Sequence, residues 1–107
     1  MTATLIDGKA IAARIREGIA ARTAAMMQDH GLRPGLATVI VGDNPASHAY
    51  VKMKHKACAE ANIESIGYEL PADTSQEQLE VLVSELNARK DVQGILVQLP
   101  LPSHLDE

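Results

Sequence analysis

Aromatic residues are nearly absent from this sequence, whose 107 residues include two Tyr and neither Phe nor Trp. The hydrophobic core must therefore consist of aliphatic side chains and Met. Cys58 is the single cysteine, which excludes an internal disulfide and predicts a packed thiol in a reducing, cytoplasmic environment. No apolar run reaches the roughly 20 residues of a membrane helix, and the first residues lack the pattern of a secretory signal, so we expect no membrane partner.

An excess of positive charge is also missing, since the formal net charge is −4. This charge argues against nucleic acid as a partner. The four His residues do not have the spacing of metal ligands, and no metal site is expected. What the sequence does contain, 46% hydrophobic and 22% charged residues without an internal repeat, is typical of one globular domain.

Helical patterns and apolar runs alternate along the chain. The predicted order is a long helix bounded by Asp7 and Gly31, a strand over 36–41, a helix over 44–61, a strand over 63–70, a helix beginning near 74 and a strand over 95–102. Such alternation predicts parallel strands joined by right-handed crossovers. We therefore expect a three-layer α/β/α fold of the α/β class, with a small, mostly parallel sheet and a βαβαβ core preceded by a long N-terminal helix.

Local signals predict where several helices begin and end. Asp7 suits the N-cap of the first helix and Gly31 its C-terminal stop. Asn62 suits a left-handed cap after the second helix, and Thr74 with Glu77 fits a capping box before the third. The first helix also carries a stripe of isoleucines: Ile11, Ile15 and Ile19.

Three lysines occupy alternate positions in "YVKMKHK", residues 50–56. Successive helical residues rotate by about 100°, so a buried stripe centred on Tyr50 places Lys52, His55 and Lys56 on a solvated face. Lys54 lies only about 40° from Tyr50 on the same reckoning. One interpretation is that its stem passes apolar neighbours on the way to water. The other is a partly desolvated amine at a pocket rim, able to shuttle protons near neutral pH.

A second polar residue, Gln98, interrupts the apolar run "ILVQLPLP" near the carboxyl end of a predicted strand. Ligands of open parallel sheets bind outside these ends. Because the second helix starts at the same edge, Ser47, Tyr50 and Lys54 can converge with Gln98 there. The alternative for Gln98 is a buried amide bonded only to backbone, and the pattern alone favours neither interpretation.

Two segments carry a family resemblance, "PGLATVIVGDNPASHAYVKMKHKACAEANI" and "DVQGILVQLPLP". They resemble the folate-binding domain of the bifunctional methylenetetrahydrofolate dehydrogenase/methenyltetrahydrofolate cyclohydrolases. The resemblance implies that Lys54 is the catalytic lysine, that Gln98 holds and tunes its amine, and that Tyr50 stacks on the folate. The substrate-binding set that it implies is Ser47, Tyr50, Val51, Lys52, Met53, Lys54, Val97, Gln98, Leu99 and Pro100.

Members of that family oxidise 5,10-methylenetetrahydrofolate, usually with NADP, and hydrolyse 5,10-methenyltetrahydrofolate to 10-formyltetrahydrofolate, in one-carbon metabolism. They are commonly homodimers. The resemblance implies that residues 1–107 are the N-terminal folate-binding catalytic domain, and that the C-terminal NADP-binding Rossmann domain is absent from this chain. The chain alone is then expected to lack dehydrogenase activity and to have weak cyclohydrolase activity at most.

Two positions depart from the family pattern. Gln93 replaces a common Asp and Asn62 a common Gly, both at positions that resemble backbone turns. The alternative to an enzyme domain is a non-catalytic flavodoxin-like or receiver-like module that binds folate or another partner. A receiver would need an acidic cluster at the strand ends, and Asp43 with Asp73 does not supply one.

Overall fold

The computed structural model describes residues 2–107, and within them three helices alternate with three strands. In chain order they are α1 (Gly8–His30), β1 (Gly35–Val41), α2 (Pro45–Glu60), β2 (Glu64–Leu70), α3 (Gln76–Ala88) and β3 (Gly94–Val97). The strands form one sheet in the order β2-β1-β3, and both pairings are parallel. The predicted α/β fold, with a βαβαβ core after a long helix, is confirmed.

The central strand β1 is covered on both faces, by α2 on one and α3 on the other. Ala37, Val39 and Val41 form the main buried cluster together with Leu79 and Leu86 of α3. The residues that alternate with them point the opposite way, and among these Thr38 contacts α2 through a side-chain hydrogen bond. Helices on both faces are what two crossovers in a parallel sheet require, because each crossover packs onto the face it traverses.

Most of the predicted helix ends are present. The Asp7 carboxylate accepts from the Ala10 N–H at 3.1 Å, and Gly31 closes α1 in the left-handed region at φ 64°. Asn62 has a φ of 59°, as its predicted cap role requires. At α2, the Asn44 side chain accepts from the backbone N–H groups of Ala46 and Ser47.

Two predicted element ends are wrong. The capping box of α3 consists of Ser75 and Gln78, one residue later than predicted. Thr74 is unavailable because its hydroxyl donates to the Pro71 carbonyl at 2.7 Å and closes the preceding turn. Strand β3 ends at Val97 instead of Pro102, since Pro100 and Pro102 have no N–H to donate to a ladder.

Helix α1 is attached to the rest of the domain mainly near its C-terminal half. Thr23 is its one buried residue, and the Thr23 hydroxyl donates to the Ala61 carbonyl at the end of α2. The isoleucine stripe, Ile11, Ile15 and Ile19, is exposed in this chain. None of the helices in residues 2–107 combines the length and apolar character needed to cross a bilayer.

Candidate functional site

The candidate site is built around one side-chain contact between α2 and the end of β3. The Lys54 Nζ donates to the Gln98 Oε1 at 2.5 Å, and both residues are half-buried. The convergence predicted from sequence is therefore present. An amine held by a carboxamide oxygen donates one N–H to it, and its neutral form keeps a lone pair available for another proton.

Strand alternation aims Gln98 at this amine. Val97 pairs with Val39 and packs against the main core on the α3 face. Gln98 is the next residue, so its side chain leaves from the opposite face, where α2 lies. Its backbone N–H donates to the Val39 carbonyl at 2.8 Å, which extends the pairing of β1 and β3 one residue beyond the strand.

The carbonyl of Leu99 fixes the orientation of the Gln98 amide. It accepts from the Gln98 Nε2 at 3.1 Å and from the Ser47 hydroxyl at 3.2 Å. Ser47 is only 2% exposed and lies in the first turn of α2. With the amide nitrogen engaged by this carbonyl, the amide oxygen faces Lys54, and the alternative of a Gln98 bonded only to backbone is wrong.

The buried face of α2 differs from the predicted one. Tyr50 is 55% exposed, whereas Ser47 and Cys58 are buried. The face is therefore centred near the direction of Ser47 and Cys58, and the interpretation of Tyr50 as the centre of a buried stripe is wrong. Lys54 stays half-buried because it lies close to the new centre as well. The Tyr50 ring stands at the rim, one turn before Lys54, with its surface accessible.

His55 is the second correction on α2. Lys52 and Lys56 are exposed, as predicted, but His55 is half-buried against the sheet. Its Nε2 shares a 2.8 Å hydrogen bond with the Thr38 hydroxyl. The sequence signal that could have indicated the burial of His55 is Thr38, a polar residue inside the apolar run of β1 that requires a hydrogen-bond partner once buried.

The other predicted site residues lie in three places: beside the Lys54–Gln98 contact, on α2, and on the opposite face of the sheet. Leu99 and Pro100 are exposed beside the Lys54–Gln98 contact, Val51 is half-buried on α2, and Lys52 and Met53 are exposed. Val97 lies on the far face of the sheet. Cys58, 8% exposed, is a packed thiol as predicted, and burial raises its pKa.

Comparison with known proteins finds similarity over almost the whole chain. The family profile of the tetrahydrofolate dehydrogenase/cyclohydrolase catalytic domain matches residues 6–107. The bifunctional protein FolD 1 of Roseobacter denitrificans is 52% identical over 107 residues, and the bifunctional protein FolD of Erythrobacter litoralis is 55% identical over the same span. Each alignment covers 100% of this chain and 36% of the relative, so the chain spans about a third of the length of these relatives.

Solved structures give the same result. The bifunctional FolD methylenetetrahydrofolate dehydrogenase/cyclohydrolase of Campylobacter jejuni is 45% identical with a TM-score of 0.93, covering 97% of this chain and 36% of that one. The Trypanosoma brucei enzyme, solved with NADP cofactor and an inhibitor, is 41% identical with a TM-score of 0.91, covering 99% and 36%.

Proposed function

The chain belongs to the tetrahydrofolate dehydrogenase/cyclohydrolase family, and from that premise we propose that residues 1–107 are the N-terminal folate-binding catalytic domain of such an enzyme. The whole enzyme oxidises 5,10-methylenetetrahydrofolate and hydrolyses 5,10-methenyltetrahydrofolate to 10-formyltetrahydrofolate. The observation that carries the proposal is the half-buried Lys54 amine held by the Gln98 carboxamide at the carboxyl edge of the sheet. A structural lysine would place its charge in water instead.

Lys54 acts in the hydrolytic step. The methenyl substrate is attacked by water at its one-carbon bridge, and a base positioned beside that water assists the attack. The neutral amine accepts a proton from the attacking water, directly or through a second water, and returns it to the ring nitrogen that leaves as the ring opens. The remaining hydroxyl proton passes to solvent as the formyl carbonyl forms. Gln98 holds the amine in place throughout, and Ser47 holds Gln98 through the Leu99 carbonyl.

Tyr50 supplies the surface on which the folate ring system stacks. Its ring is exposed on the same side of α2 as Lys54, one turn away, so a planar ligand on the phenol lies within reach of the amine. Leu99 and Pro100 form the facing wall, and Val51, Lys52 and Met53 complete the helix side. Val97 lies on the opposite face of the sheet, where its packing sets the position of the backbone just before Gln98.

The oxidative step needs a nicotinamide, NADP or NAD, positioned against the methylene carbon of the substrate. The sequence contains no G-x-G-x-x-G turn, and the loop after β1, with Gly42 as its one glycine, does not fit a dinucleotide. We place that site in a second, Rossmann-type domain, for which the greater length of the relatives leaves room. The full-length enzyme is then expected to be a cytoplasmic homodimer.

The dehydrogenase half of the proposal has a direct test with this chain. Mixed with 5,10-methylenetetrahydrofolate and NADP, residues 1–107 should produce no NADPH absorbance, because their sequence contains no dinucleotide-binding turn. The full-length protein under the same conditions is the positive control. Robust NADPH formation by the 107-residue chain would overturn the proposal that the nicotinamide site lies in a second domain.

Folate binding by this chain tests the substrate site. Replacing Tyr50 by Ala is expected to weaken binding of a tetrahydrofolate derivative about tenfold, because the loss of one aromatic stacking partner costs about 1.4 kcal/mol. Isothermal titration of the wild-type and variant chains measures this change.

Tyr68→Leu, which keeps an apolar side chain against the main core, is the control, since the other tyrosine lies on β2 and its hydroxyl accepts from Arg89, away from Lys54. Equal losses from the two variants would contradict the assigned stacking surface. Binding that depends on Tyr50 but is never followed by hydrolysis in the full-length protein would favour the alternative, a non-catalytic folate-binding module.

A further inference from the structure

The two faces of the sheet offer very different packing surfaces to their helices. On the α3 face, β2 contributes Ile66, Tyr68 and Leu70 beside the buried residues of β1. On the α2 face, β2 contributes Ser65, Gly67 and Glu69, the register partners of Leu36, Thr38 and Ile40. None of these three β2 residues has a large apolar side chain. Interdigitating apolar side chains are what specify one orientation of a packed helix, and on this face β2 provides none.

The buried side of α2 is equally poor in apolar groups. It presents Ser47, Val51, Lys54, His55 and Cys58 to the sheet. Ile40 of β1, 2% exposed, is the one large, fully buried apolar side chain that the described strands contribute to this face, so apolar packing alone determines the rotation of α2 about its own axis only weakly. A rotation of about 20° displaces a side-chain atom about 6 Å from the axis by about 2 Å, which is enough to break a hydrogen bond.

The His55 imidazole occupies a slot that the sheet sequence creates for it. Thr38 and Gly67 are register partners on β1 and β2. The Thr38 hydroxyl, in a residue only 1% exposed, bonds to the His55 Nε2 at 2.8 Å. A Cβ on Gly67 would lie 2.9 Å from the His55 Cε1, so the ring rests where the side chain of residue 67 would be. The ring is thus held both by a buried polar partner and by a space that only glycine leaves open.

From this juxtaposition we propose that His55 is a positioning residue, which sets the rotation of α2 and thereby keeps the Lys54 amine on Gln98. The two residues are adjacent and diverge by about 100° on the helix, His55 toward β1 and β2 and Lys54 toward the end of β3. Because both side chains belong to one rigid helix, fixing the direction of His55 also fixes the direction of Lys54. Ser47 anchors the start of α2 to the Leu99 carbonyl, and His55 anchors the next two turns, where the amine is. The catalytic consequence of this role rests on the proposed function.

The geometry can be measured in this chain without any substrate. The 15Nζ resonance of Lys54, detected through its carbon-bound Hε protons, reports on the contact with Gln98, and Lys52 and Lys56 serve as exposed references. Replacing His55 by Leu keeps the volume and removes the hydrogen bond. We expect the Lys54 signal to move most of the way to the exposed references, and His55→Gln, which keeps a polar group within reach of Thr38, to restore it.

The hydroxyl partner provides an independent variant. Thr38→Val removes the hydroxyl with little change in shape and should move the Lys54 signal as His55→Leu does, whereas Thr38→Ser should not. The double variant should shift it no further than either single change, because both remove one interaction. Lys56→Leu, on the exposed face of the same helix, is the control that leaves the signal in place. If His55→Leu does not fold by circular dichroism, the Thr38 pair decides the question alone.

An unchanged Lys54 resonance in folded His55→Leu and Thr38→Val chains would overturn the positioning role. In the full-length protein, His55→Leu should lower kcat for methenyltetrahydrofolate hydrolysis about tenfold, with recovery to within about twofold in His55→Gln. A loss that His55→Gln fails to restore would also count against the positioning role. If the resonance moves as expected while wild-type protein shows no hydrolysis, the positioning role stands and the proposed function fails.

Discussion

Replacing Lys54 by Met in the full-length protein is expected to lower kcat for hydrolysis of 5,10-methenyltetrahydrofolate by at least about a hundredfold, the usual contribution of a positioned general base. Met keeps the length of the stem and its packing on α2 while removing the amine. The only partner in the described residues that loses a bond is the Gln98 oxygen, which lies at the rim and can turn to water. The rate, followed by the loss of the methenyl chromophore, should therefore fall with little loss of stability.

Folate affinity should change much less than the rate. The substrate of the hydrolytic step is cationic, so the amine contributes little to its binding, and the Tyr50 surface is untouched. We expect the KM of the Lys54→Met variant to stay within about threefold of wild type. A large fall in kcat with little change in KM would mean that the amine stabilises the transition state rather than the bound substrate.

Lys56→Met provides the matched control, since it makes the same charge change two residues later on the exposed face of α2. Its kcat should stay close to that of wild type. Similar losses in the two variants would mean that the net charge of the helix matters rather than one inward-directed amine. Lysine would then have no individual role at position 54.

The sequence pattern showed that Lys54 and Gln98 could meet, and the family resemblance was needed to predict that they do. Their proximity follows from two general properties, the rotation per residue of a helix and the common edge at which parallel strands end. Both hold for any β-α-β unit, and the contact at 2.5 Å agrees with them. The separation of Lys54 from Lys52 followed from the same rotation.

The orientation of α2 was not predicted correctly, and its composition shows why. The stripe was centred on Tyr50 because Ala46, Ala57 and Ala61 fall within about 40° of it on the helix. The face that packs on the sheet instead carries mainly polar or small residues: Ser47, Val51, Lys54, His55 and Cys58. The partners of its three hydrogen-bonding side chains are the Leu99 carbonyl, the Gln98 amide and the Thr38 hydroxyl. No hydrophobicity pattern reveals such a face, because each contact depends on a residue far away in the chain.

Gly35→Ala is expected to destabilise the domain by about 3 kcal/mol, as overpacking against rigid atoms does. Gly35 opens β1, and a Cβ there would lie 2.0 Å from the Asp91 carbonyl oxygen, far inside contact distance. That carbonyl lies in the turn that Gln93 ties to Gly35 by two hydrogen bonds, so it cannot retreat without straining them. The Asp91 carboxylate is bound by the Arg89 guanidinium, which lowers the pKa of Asp91 through their hydrogen bonds. Urea unfolding followed by circular dichroism measures the loss.

Gly18→Ala is the matched glycine substitution with the opposite expected sign. Gly18 lies in the exposed part of α1, where a Cβ would have no neighbour within 4 Å. Alanine is the better helix former, so this variant should gain about 0.5–1 kcal/mol. A loss in the Gly18 variant, or no loss in the Gly35 variant, would contradict the packing argument.

The Gly35 substitution should also reach the candidate site through Gln93. The Gly35 N–H donates to the Gln93 Oε1 at 2.6 Å, and the Gln93 N–H donates to the Gly35 carbonyl at 2.9 Å. This pair of bonds sets the register in which β3 begins, four residues before Gln98. Pushing Asp91 away strains both bonds, and any displacement of β3 carries the Gln98 amide with it. The folded fraction of the Gly35→Ala variant should therefore show a shifted Lys54 15Nζ resonance, while the Gly18→Ala variant keeps the wild-type value. A wild-type resonance in both would mean that β3 is positioned by its ladder to β1 alone.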